Sequence, residues 1–255
     1  MSLWHRNPLY LFPSPAINPW ELKKLKTQSH TKHIHSFHAI ALLLLACLLM
    51  FGIVIFVQAW TKEASLPSNI GTSYEADDLE FLQKSNSSLI SYAHLSPNAD
   101  FPRTQKIETI TIHHMAGNLS LEKVGELFSK RDYNASSNYA IDSQGNIGLF
   151  VEEANRAWSS SNRENDNKAI TIEVADDDEA NGQWHVSRDA FDALVDLCVD
   201  ICRRNNIDKL IYTGDAQGNV TLHSMFSDTT DCPGPYLTSQ IPQLVNRVNV
   251  QLAAE

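Results

Sequence analysis

Cysteine is scarce. Four are spread over 255 residues, as Cys47, Cys198, Cys202 and Cys232, and their placement excludes the disulfide framework on which small secreted domains depend. Positive charge is also short: 20 Lys and Arg face 30 Asp and Glu, a formal net charge of -10. Without a basic stripe to release counterions from a phosphate backbone, nucleic acid is excluded as a partner. No internal repeat is visible, and no compact Cys-His motif of the structural-zinc kind is present. The remaining apolar content suffices for one good core and an appendage.

One feature is present in excess. "AIALLLLACLLMFGIVIFV", Ala39 to Val57, is uncharged and apolar all round, close to the roughly 20 residues that cross ~30 Å of hydrocarbon as a helix. A buried core helix is the alternative reading, but a helix of a globular domain would show a polar stripe and this run shows none. Arg6, Lys23, Lys24, Lys26 and Lys32 precede the run against a single acid, Glu21; Glu63, Glu75, Asp77, Asp78 and Glu80 follow it. The positive-inside rule therefore places the N-terminus in the cytoplasm, with His38 and Trp60 as interfacial anchors. A cleaved signal peptide is the competing reading, because "VQA" at Val57 to Ala59 resembles a cleavage site; the long leader counts against it. Under either reading the chain beyond Trp60 lies outside the cytoplasmic membrane, secreted if the leader is removed.

The expected organisation is then a proline-rich leader without a fold of its own over 1–38, a transmembrane helix over 39–60, a tether with a short helix over 61–95, and a main domain over 96–255. In that domain "KIETITIHH" reads as a strand and "SLEKVGELFSKRD" as a helix capped by Ser120. "NYAIDSQGNIGLFVE" reads as a hairpin turning at Gly145, and "AITIEVA" and "KLIYTGD" as strands. Long helices follow at "RDAFDALVDLCVDICRRNN" and at the C-terminal end, with Cys198 and Cys202 on the first one's apolar face, as core rather than ligands. The pattern predicts an α/β fold, a central mixed β-sheet flanked by helices.

Two places offer chemistry. "ITIHHMAG" delivers His113 and His114 to the end of a strand, and "LHSMFSDTTDCPGPYL" supplies His223 and Cys232. Two imidazoles and a thiolate suit tetrahedral zinc and leave one position open. Spacing alone also allows two histidines on a surface strand and a buried thiol.

"TIHHMAG", "SSNYAIDSQGNI", "AWSSSNRENDNKAITIEV" and "LHSMFSDTTDCPGPYL", in that order, resemble the zinc-dependent N-acetylmuramoyl-L-alanine amidases: phage and prophage endolysins and autolysins, which share their fold with peptidoglycan-recognition proteins. The resemblance covers roughly Ser96 to Ala253. It implies zinc as cofactor, with His113, His223 and Cys232 as ligands, peptidoglycan as substrate, and hydrolysis of the amide between the lactyl group of N-acetylmuramic acid and L-alanine. Glu173 matches the general base of the endolysin branch. Thr230 matches a lysine or threonine that holds the reacting carbonyl. His114, Asn138 and Trp158 are the expected substrate contacts.

The chain departs from the pattern in two places. Where some relatives have a catalytic tyrosine it has Ser137, which shifts the burden to Glu173. Where many have histidine after the tryptophan it has Ser159, so no substrate-contact or proton-relay role carries over there. A noncatalytic receptor on the same fold is the alternative; such relatives commonly lose the cysteine ligand, which this chain keeps.

Overall fold

The computed structural model describes residues 76–177 and 182–254. The apolar segment over 39–60 and the leader lie outside the described residues, and among those described no helix is long and apolar enough to cross a membrane.

The first described elements correct the expected domain boundary. Helix α1 (Ala76–Ser85) and strand β1 (Ile90–Ala93) are part of the fold rather than of a tether. Leu82, Ile90, Ala93 and Leu95 are buried in the main core. The physical reason is that β1 pairs in parallel with β5 (Ile147–Leu149), while the Asn86 side chain accepts from the Glu153 N–H at 2.8 Å. The Ser87 N–H also donates to the Tyr139 hydroxyl at 3.0 Å.

Strand β2 (Ala99–Asp100) pairs with β6 (Arg156–Ala157) in a small antiparallel ribbon. The main sheet also contains β3 (Thr109–His114), β4 (Tyr139–Ile141), β7 (Ala169–Val174) and β8 (Val220–Leu222), in the order β1-β5-β4-β7-β3-β8. Only the β4–β5 hairpin is antiparallel within it, so the sheet is mixed. The hairpin turn is held by the Asp142 carboxylate, which accepts from the N–H groups of Gln144 and Asn146, and Gly145 takes φ +83° there. Ile110, Ile112, Ile170 and Ile172 are wholly buried; β-branched residues enclosed in this way are what a covered parallel sheet requires.

Helix α2 (Leu121–Phe128) is capped by Ser120, whose hydroxyl accepts from the Lys123 N–H, and it buries Leu121, Val124 and Phe128. Short helix α3 (Arg163–Lys168) leads into β7. Helices α4 (Arg188–Asn205) and α5 (Gly234–Leu252) bury Leu194, Ile201, Leu237 and Leu244 in the main core. Cys198 and Cys202 lie in that core as free thiols. The "KLIYTGD" segment is not a strand: its Leu210 is tied to the Asn249 side chain of α5, and the Ile211 carbonyl accepts from Asn219 and Val220 at the start of β8.

Candidate active site

Three parallel strands end at one place. β7 and β3 run in register, so His113 stands beside Glu173, and β8 ends at Leu222 immediately before His223. The C-terminal edge of parallel strands is where open α/β sheets place ligands. Beneath the site each strand presents a threonine two residues earlier, and Thr111, Thr171 and Thr221 lie in register with one another through β3. The Thr111 and Thr221 hydroxyls bond at 2.9 Å, and the Asn165 side chain donates to Thr111 at 2.9 Å. A buried hydrogen-bonded layer of this kind ties the strand ends together from below.

Cys232 comes from the loop before α5. Its N–H donates to the Thr230 hydroxyl at 3.1 Å, and its Sγ accepts from the His114 N–H at 3.4 Å. One donor atom from each of His113, His223 and Cys232 lies within 4.8 Å of the others. The His113 and His223 rings are 4.9 Å apart at 53°. His113 Nδ1 faces the group, 3.7 Å from Cys232 Sγ and 3.9 Å from Glu173 Oε1.

The electrostatics of this group favour metal binding. Burial, then His223 and His114, hold the His113 pKa well below its usual value, and burial lowers His223 too; both imidazoles are neutral and keep a lone pair. Burial first, and the Asp176 carboxylate second, push Glu173 up to about 8. Both partners thus tend to their neutral forms, and the His113–Glu173 contact is not an ion pair. Burial, then Glu173, also push the Cys232 thiol well up, so it becomes a thiolate only beside a cation. Glu173 Oε2 is buried with no hydrogen-bond partner among the described residues. Two imidazoles, a thiol in need of a cation and an unsatisfied carboxyl oxygen form a donor set that fits zinc.

His114 points the other way from His113, as strand alternation dictates. Its Nδ1 pairs with Asp176 Oδ2 at 2.5 Å and its ring meets Trp184 edge-on at 5.3 Å. Asp176 also accepts from the Gly117 N–H. Gly234, at φ +82°, permits this packing, because a Cβ there would stand 3.2 Å from the Trp184 ring. His114 and Glu173 line a pocket of about 130 Å³ with Met115, Leu119, Val124, Leu127, Phe128 and Tyr133.

Two expected substrate contacts are not brought to this pocket. Asn138 is wholly buried: its side chain donates to the Val151 carbonyl at 3.0 Å and accepts from the Thr171 N–H at 3.1 Å. Its side chain links the residues just before β4 to Thr171 of β7 and to Val151 just beyond β5, so it belongs to the layer under the site. Trp158 is half-buried, its indole N–H spent on Asp100 at 2.9 Å, and it does not line the pocket. Tyr133 and Trp184, by contrast, stand at the site without having been singled out. Tyr133 ends a single 3-10 turn over Arg131–Tyr133 and Trp184 lies in a loop, and no periodicity reveals the path of either.

The family model described as N-acetylmuramoyl-L-alanine amidase matches residues 103–235, more than half of the chain. The chain belongs to this amidase family. No curated protein matches it. Similar solved structures include AmpD, at 17% identity over 62% of this chain and 95% of that one with a TM-score of 0.46. PlyL is 19% identical over 57% and 85%, with a TM-score of 0.44. The N-acetylmuramoyl-L-alanine amidase LysC from Clostridium intestinale is 17% identical over 56% and 93%, with a TM-score of 0.42. The family assignment rests on the sequence match, and the amidase-family segment spans the three converging strands described above.

Proposed function

We propose that the protein is a membrane-tethered zinc amidase that hydrolyses the bond between N-acetylmuramic acid and L-alanine of peptidoglycan. The observation that carries this reading is the convergence of His113, His223 and Cys232 beside the unpartnered carboxyl oxygen of Glu173, in a chain of the amidase family. The three residues would hold zinc, which when bound polarises the scissile carbonyl and eases deprotonation of water near neutral pH.

The chain's own groups do the rest. Glu173, neutral in the metal-free site, would ionise beside the bound cation; its carboxylate then takes a proton from the attacking water and returns it to the amide nitrogen as the C–N bond breaks, leaving a lactyl carboxylate and a free L-alanine amine. Thr230 spends a lone pair on the Cys232 N–H, so its O–H remains to donate to the carbonyl oxygen. Asp176 holds the His114 ring in place, and α2 contributes Val124, Leu127 and Phe128 to the pocket beside Glu173. A noncatalytic receptor would need neither Glu173 nor Cys232 in these positions.

The test is digestion of purified peptidoglycan by the full-length chain, with and without a chelator, followed by mass analysis. New L-alanine amino termini that vanish with chelator and return with zinc are expected. A zinc-loaded protein that binds muropeptide but releases no amino termini from several peptidoglycan types would establish the receptor instead.

The tether is supported by the 39–57 run and the charge on its two sides. It would confine the amidase to wall close to the membrane. Protease added to intact protoplasts is expected to remove the catalytic domain and spare the leader; a protected domain would reverse the orientation.

A further inference from the structure

Ser159 has no role in the reaction just described, yet its hydroxyl lies 3.0 Å from His113 Nε2. That is the ring nitrogen facing away from the donor group, since Nδ1 is the atom near Cys232 and Glu173. A neutral imidazole carries one proton, and the nitrogen without it offers the lone pair. With Nδ1 turned to the other donors, the proton belongs on Nε2 and is donated to Ser159 Oγ.

The hydroxyl is itself held in place. The Ser159 N–H donates to Asp166 Oδ2 at 3.2 Å, and Asp166 Oδ1 accepts from the Ser160 N–H at 3.0 Å and the Ser160 hydroxyl at 2.6 Å. Arg156 Nη1 stands 3.7 Å from the same buried carboxylate. The Asn162 side chain caps α3, so the turn carrying Ser159 is anchored at both ends. Nothing else in the described residues bonds to His113 Nε2.

We propose that Ser159 is the positioning residue of the metal centre: it fixes the His113 tautomer and ring angle so that Nδ1 is the ligand atom. The proposal rests on the metal-centre reading above. Hydrogen bonds behind a ligating histidine typically govern metal affinity by 10–100-fold, and the effect is on zinc binding before it is on turnover.

The test measures zinc affinity by chelator competition, together with the melting temperature of the metal-free form, in the full-length wild type, Ser159→Ala, Ser159→Thr and Cys232→Ser. Ser159→Ala is expected to bind zinc about 10–100-fold more weakly at an unchanged metal-free melting temperature, with Ser159→Thr close to wild type because it keeps the hydroxyl. Wild-type affinity in Ser159→Ala, with zinc lost in Cys232→Ser, would overturn the Ser159 assignment and leave the metal centre standing. A weakening matched by a lower metal-free melting temperature would overturn it too, by tracing the loss to the fold. Zinc binding absent from the wild type would end both readings.

Discussion

Glu173→Gln is expected to reduce peptidoglycan cleavage by about 10²–10⁴-fold, the usual worth of a positioned acid/base, while zinc content and muropeptide affinity stay close to wild type. The substitution conserves volume, which matters because the Glu173 side chain is only 18% exposed and stands in register with His113. It alters one thing: Oε2, which has no hydrogen-bond partner among the described residues, is replaced by a group that cannot take a proton. The three donor atoms of the metal set come from other residues, so zinc retention separates loss of proton transfer from loss of the metal. A fall in kcat and kcat/KM together, with KM little changed, is the pattern for an interaction made in the transition state. Undiminished turnover in Glu173→Gln would remove Glu173 from the mechanism and make His114, its neighbour on the pocket wall, the next residue to replace.

Most of what positions this carboxylate is legible in the chain. Three segments repeat one arrangement, threonine two places before the chemistry-bearing residue: "TIH" ending at His113, "TIE" at Glu173 and "TLH" at His223. Alternation puts both members on one face of β3 and of β7 and His223 follows β8 directly, so three strands side by side stack hydroxyls beneath His113, Glu173 and His223. Hydrophobic pattern and caps likewise define α2 and α4, where Ser120 and Ser187 cap as their residue type favours.

What the sequence hides depends on contacts between distant segments. Asn138 lies within a family motif and is polar, yet its carboxamide serves Thr171 in β7 and Val151 just beyond β5; a saturated buried amide and a substrate contact look identical in one dimension. The function of Ser159 is invisible for the same reason, because His113 lies 46 positions away. Helix α1 and β1 are missed as part of the domain because β1 is short and half-polar, and only its pairing with β5 gives it a place. The "KLIYTGD" segment errs in the opposite sense: its residues suit a strand, but its polar groups bond to Asn249 and to the entry of β8 instead of to a ladder.

That edge strand sets the second large effect. A chain beginning at Ser96, although it contains the whole family match over 103–235, is expected to be severely destabilised relative to one beginning near Ser73. Removing 73–95 takes away Leu82, Ile90 and Leu95, each at most 3% exposed. At about 1.5–3 kcal/mol per fully buried side chain, this removes roughly 5–9 kcal/mol, comparable with the whole stability of about 5–15 kcal/mol typical of a domain. The cut also strips the Glu153 N–H and the Tyr139 hydroxyl of Asn86 and Ser87. Tyr139 and Arg204 both bond the Glu153 carboxylate, at 2.6 and 2.7 Å, so the loss reaches a buried charged network where an opened hydrogen bond is costly. Thermal unfolding of the two purified segments, each loaded with zinc, measures the difference. The shorter one should melt at least roughly 10 °C lower, at about 2–4 °C per kcal/mol for a domain of this size, or fail to show a cooperative transition. Equal midpoints would mean that α1 and β1 merely rest against the sheet, and that the catalytic fold begins where the family match does.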